Sequence, residues 1–259
     1  MFRSLKKGDR KKLKLDITYT YGKDKIEFKA PEPLGVDDLR VLQGLVAIAG
    51  LNGLLLSSDS PKTEGQQLRL FIEPKWEAVN KDLLVVKGSY RHLAREIGYT
   101  DVDGGKVFRL IRETIERLWT VSIIVQVGKQ RMGFRLLSEY ASDEEEGKLF
   151  IALNPRITEA ILGERPHARI DMREARLLHS DPARLLHQRL SGIIDPGKQQ
   201  RFKLDTLIEY IWPDQAEGST LRKRRLTTRA ALKEIESTKG WTVKTERANC
   251  YLIGRKKTD

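Results

Sequence analysis

One run of elements can be read twice along this chain: a short helix, a turn, a longer helix and then a β-hairpin. A helix pair backed by a hairpin encloses its own small core, so two such runs point to two small α+β domains. The length of 259 residues is compatible with one to two domains of about 150 residues each. With 39% hydrophobic residues, 9 Pro and 20 Gly, the chain can build real cores, which excludes wholesale disorder and collagen-like repeats.

In the first run, Ser89 is the natural N-cap of a helix with Leu93, Ala94 and Ile97 inward and Gly98 as its stop. The helix from Gly105 to Trp119 places Val107, Phe108, Ile111, Ile115 and Leu118 on one side, leaving Arg109, Arg112, Glu113 and Glu116 outward. Thr120 to Val127 and Phe134 to Tyr140 flank a basic turn, Gly128 to Gly133, containing Lys129 and Arg131. Upstream, residues 15–29 alternate about Gly22-Lys23-Asp24 as a hairpin closed by Pro31 and Pro33. Asp37-Asp38 then open an apolar helix that ends at Gly50, and the positive helix terminus explains this carboxylate pair without acid–base chemistry.

Residues 1–14 read as a flexible basic arm, and Asp143 to Glu146 as a solvated acidic loop. Lys148 to Leu153 reads as a strand, after which Asn154-Pro155 opens a helix through Leu162 that connects the domains. In the second run, Asp181-Pro182 starts a helix through Leu190, whose His187 is a packing or surface histidine. Leu204 to Ile211 is the short helix, ended by Pro213; Ser219 or Thr220 caps the long one, which reaches about Ser237. Trp241 to Lys244 and Tyr251 to Ile253 form the hairpin. The expected architecture is therefore two tandem winged-helix domains, over residues 15–154 and 155–259.

The formal charge is 48 − 36 = +12, and its distribution separates nucleic acid from a membrane surface as the partner. No apolar run approaches the roughly 18 residues of a membrane helix, and the apolar residues are committed to cores. The basic opening lacks an apolar signal core, so a cytoplasmic location is expected. One cysteine, Cys250, excludes an intrachain disulfide, and with four scattered histidines it offers no zinc site of the usual spacing. Neither a metal nor another cofactor is expected.

The segment 219–233 carries Arg222, Lys223, Arg224, Arg225, Arg229 and Lys233 and no acidic residue. At 100° per residue, Leu221, Thr228, Ala231, Leu232 and Ile235 share one side, while Arg222, Lys223, Leu226, Arg229, Ala230 and Lys233 share the opposite one. Such a helix fits the major groove, where Arg or Lys donates to guanine, and Arg224 and Arg225 are placed to reach phosphates. The first run repeats this more weakly through Arg109, Arg112, Lys129 and Arg131, because its outward face is charge-mixed. Gly192 to Gln199 mimics a phosphate loop, but it follows a helix, contains Pro196 and ends in Gln199 where Ser or Thr would bind Mg²⁺. With neither that loop nor a Gly-x-Ser-x-Gly elbow, an enzyme is not expected. RNA binding is weakened by only 7% aromatic residues with no aromatic β-motif.

Several strings carry a family resemblance: Pro31 to Gly35, Glu73 to Val79, Val86 to Arg91, Phe134 to Asp143, Ala183 to Leu190, Ile194 to Lys198 and Gly218 to Arg225. In order and spacing the chain resembles the RepC iteron-binding replication initiators of IncQ-type broad-host-range plasmids. The resemblance implies a non-enzymatic initiator that binds direct repeats in double-stranded DNA at a plasmid origin. It further implies opening of adjacent AT-rich DNA, loading of a plasmid-encoded helicase and primase, and a homodimer through the N-terminal domain. The competing expectation is a winged-helix transcriptional repressor, which would bind inverted repeats as a dimer.

Overall fold

The computed structural model describes residues 1–52, 54–56, 83–100, 102, 105–143, 147–163 and 167–257. The acidic residues 144–146 lie outside them. The chain is mixed α+β and divides into two compact units, Met1 with Lys7–His167 and Phe2–Lys6 with Ala168–Asp259.

In the first unit, α1 (Asp9–Lys12) precedes the hairpin β1 (Leu15–Tyr21) and β2 (Asp24–Ala30), followed by α2 (Val36–Asn52). Then come β3 (Leu54–Leu56), β4 (Leu83–Ser89), α3 (Tyr90–Glu96) and α4 (Gly105–Thr120). The remainder is β5 (Ser122–Val127), β6 (Gln130–Arg135), β7 (Leu137–Asp143), β8 (Lys148–Leu153) and α5 (Pro155–Ile161). Two antiparallel sheets result, in strand orders β1-β2-β5-β6 and β3-β4-β8-β7. The expected 120–140 hairpin is thus corrected. Its turn is only Gly128-Lys129, and its second strand splits at buried Leu136 so that β6 and β7 join different sheets.

Local rules explain the helix ends. The Ser89 hydroxyl accepts from the His92 amide at 3.1 Å, and the Tyr99 amide wraps back to the Ala94 carbonyl at 2.9 Å. The latter closure needs the left-handed φ of 84° that Gly98 adopts. A Cβ on Gly44 would stand 2.3 Å from Ile97 Cγ2, so a glycine there lets α2 and α3 touch. Leu39, Leu45, Leu93, Ile111, Ile115 and Leu118 fill the core beneath, each fully buried apolar side chain contributing about 1.5–3 kcal/mol.

Asp38 ties this unit together. Fully buried, it accepts from the Gly35 amide at 2.7 Å, from Arg10 at 3.0 Å and from Arg117 of α4 at 2.9 Å. The carboxylate therefore does more than sit at a helix terminus: it fixes α1 and α4 to the start of α2. Residues 1–14, expected as a free arm, are held in place. Arg10 binds Asp38, while the Ser4 amide donates to the Ile211 carbonyl at 3.0 Å within the second unit. The connecting helix α5 belongs to the first unit. Its buried Thr158 hydroxyl accepts from the Leu84 amide of β4, which moves the division from 154/155 to after His167.

The second unit contains α6 (Met172–Leu177), α7 (Asp181–Ser191), β9 (Gln199–Lys203), α8 (Leu204–Ile211) and α9 (Gly218–Ser237). It ends in β10 (Trp241–Arg247) and β11 (Cys250–Arg255), in a sheet of order β10-β11-β9. Helix α9 packs across α7, α8 and β10, and Leu186, Leu190, Leu207, Ile211, Ile235 and Trp241 form the core. His187 is a core histidine: its Nε2 lies 2.8 Å from Glu174 Oε2, which also accepts from the Trp241 indole at 2.9 Å. Burial opposes ionisation of Glu174, but the hydrogen bonds from His187 and Trp241 prevail and lower its pKa.

Candidate nucleic-acid interface

Pro213 removes the donor that would extend α8, and the chain restarts as α9 at Gly218. Ser219 and Thr220 lie inside the first turn instead of capping it, and Glu217 at the cap position makes no side-chain cap bond. Thr228, Ala231, Leu232 and Ile235 are buried as the periodicity requires. Arg222, Lys223 and Lys233 are exposed and make no ion pair among the described residues.

The other three cations of α9 are engaged. Arg224 is only 6% exposed: it donates to the Asp214 carbonyl at 2.6 Å, pairs with the Asp214 carboxylate and stacks over Trp212 at 5.3 Å. Asp214 also receives Arg3. Desolvation works against the Asp214 charge, but the Arg224 hydrogen bond and charge outweigh it and lower the pKa. Arg224 is therefore a structural pin, which corrects its expected phosphate contact. Arg225 pairs with Asp205 of α8 at 3.1 Å, and both side chains are exposed enough for a phosphate to exchange with the carboxylate. Half-buried Arg229 reaches the hairpin turn, donating to Asn249 Oδ1 at 2.7 Å and to the Tyr251 hydroxyl at 3.3 Å. Asn249, at φ 62°, forms that turn.

Sequence reasoning missed these partners. Asp214, Asp205 and Asn249 fall in turns or on another helix, with no periodic signal linking them to α9.

In the first unit, Arg109 is exposed on α4 beside Glu113 and Glu116, while half-buried Arg112 stands 5.9 Å from the Tyr90 ring centroid. Lys129 is at the β5–β6 turn, and exposed Arg131 approaches Glu27 at 3.5 Å. Among the described residues no cluster of three His, Cys, Asp or Glu could hold a metal ion. In the loop after α7 the Gly197 amide already donates to the Arg255 carbonyl at 2.8 Å, and the Lys198 amide to the Asp195 carbonyl at 3.0 Å. No helix among the described residues is long and apolar enough to cross a membrane.

The arrangement defines an α+β protein with a cationic helix presented beside a hairpin. Solved structures share this fold across nearly the whole chain. The crystal structure of selenomethionine derivatives of domains 2 and 3 of RctB matches with TM-score 0.59 at 14% identity, covering 98% of this chain and 94% of that one. A second structure of RctB domains 2–3 matches with TM-score 0.59 at 11% identity, covering 94% and 91%. Comparison with curated proteins found no match. The family model for replication protein C (RepC) matches residues 1–257, so the chain belongs to the RepC family of DNA replication initiators.

Proposed function

We propose that the protein initiates plasmid replication by binding direct repeats in double-stranded origin DNA through two winged-helix domains, one in each compact unit. The observation that carries this reading is the open face of α9, where Arg222, Lys223 and Lys233 are unpaired among the described residues while the opposite face is buried. An α-helix fits the major groove, where arginine donates to guanine O6 and N7. Arg229, held by Asn249, keeps the hairpin and the helix in register, and Arg225 exchanges Asp205 for phosphate. In the first unit Arg109, Arg112, Lys129 and Arg131 supply the weaker, positioning contacts.

Opening of AT-rich DNA follows from differential binding, with bound copies favouring bent or unwound duplex and backbone contacts offsetting the deformation. Helicase and primase load on the opened strand. The initiator itself hydrolyses nothing, works in the bacterial cytoplasm and, when dimeric through its N-terminal domain, is withheld from the repeats.

The test is a titration against duplexes carrying one origin repeat, two repeats, an inverted repeat or scrambled sequence, without nucleotide and at several salt concentrations. One protein per direct repeat with strong preference over scrambled DNA is expected. Preference for the inverted repeat as a dimer would instead indicate a repressor, and equal binding that collapses with salt would leave only phosphate attraction.

A further inference from the structure

We propose that Leu226 is a base-reading residue that packs on the 5-methyl group of thymine in the major groove, an inference that rests on the DNA-binding reading of α9. Among the described residues Leu226 is 61% exposed, more than the other exposed large apolar side chains, Leu177, Val127 and Leu162. It sits in the middle of the open face, a turn from Arg222 and Lys223 on one side and from Arg229 and Ala230 on the other.

A singly exposed leucine is ordinary on a protein surface, but its surroundings here are not neutral. Burying Leu226 against a protein would also desolvate the neighbouring cations, which only a strongly acidic partner would tolerate. Duplex DNA meets both demands at once: guanine edges and the phosphates along the groove walls take the arginines and lysines, and thymine methyls on the groove floor offer apolar contact. Exposed Ala230, too short to hold the helix away from the bases, lets the longer Leu226 side chain reach that floor.

The full-length chain is used to enrich a duplex from a randomised library. Each thymine of the enriched duplex is then replaced singly by deoxyuridine, which removes only the methyl group. Wild-type affinity is expected to fall about three- to fivefold at one or two thymines, the worth of one buried methyl-sized group. Leu226→Ala is expected to abolish this sensitivity, and Leu226→Met to restore most of it. Insensitivity of the wild type at every thymine, or undiminished sensitivity in Leu226→Ala, overturns the proposal while leaving sequence-specific binding intact. If no sequence enriches, the DNA-reading role of α9 falls, and this inference with it.

Discussion

Helices α4 and α9 occupy the same place in two similar runs of elements, but they face solvent with different electrostatics. On α9 the exposed Arg222, Lys223 and Lys233 have no acidic neighbour within the segment 219–233, so their fields add. On α4 the exposed Arg109 shares its face with Glu113 and Glu116, and Arg117 is spent on buried Asp38. The hairpins differ in the same sense. Each hairpin pairs with a further strand, but the β10–β11 turn is bonded to α9 through Asn249 and Arg229, whereas at the β5–β6 turn the Gly128 amide donates to Asp24 at 3.4 Å. A shared layout therefore does not make two electrostatically equal faces; the sign and freedom of the side chains on each decide its field.

The comparison breaks most visibly at the open face of α9. Arg222→Ala and Lys223→Ala should each weaken specific DNA binding by about 1–3 kcal/mol, measured by titration on repeat and scrambled duplexes. Arg109→Ala should cost much less. Equal losses from α4 and α9 would remove the distinction between them.

A second effect concerns stability. Asp214→Ala leaves the buried Arg224 guanidinium with only the backbone carbonyl and should destabilise the protein by about 2 kcal/mol in urea unfolding. The salt dependence of DNA binding should hardly change, because Arg224 is buried against Asp214 and Trp212.

Acid should act on the second unit through Glu174. Its folded pKa lies below the ordinary 4.5, so its stabilising contribution is complete above that value and is lost as pH falls through the lowered folded pKa. Urea unfolding followed between neutral and acid pH should show this loss, and Glu174→Gln should flatten that part of the profile.

The smallest effect sharpens the comparison from the other side. Glu113→Gln combined with Glu116→Gln makes the α4 face single-signed, and affinity for random duplex should rise about two- to threefold at low salt. No change would mean that α4 does not approach DNA.

Periodicity and turn chemistry were enough to locate most elements. Ser89 and Asn154 cap their helices, Pro213 follows the end of α8, and the buried stripe of α9 is the one expected from its spacing. These signals are local: a cap, a missing amide and a 3.6-residue repeat each act within a turn or two of chain. The strand pairings of β6, β7 and β9, and the allegiance of α5 to the first unit, were not legible, because each depends on partners distant in sequence.

The amino-acid sequence by itself determined that a single-signed cationic helix lies in the second of two helix–helix–hairpin runs. Tertiary structure alone decided which of those cations are free. Arg222 and Arg224 are two residues apart and chemically identical, but one faces solvent and the other meets Asp214 and Trp212. Helical spacing sets the direction of a side chain; what it meets there depends on turns brought back by the fold, which no local pattern encodes.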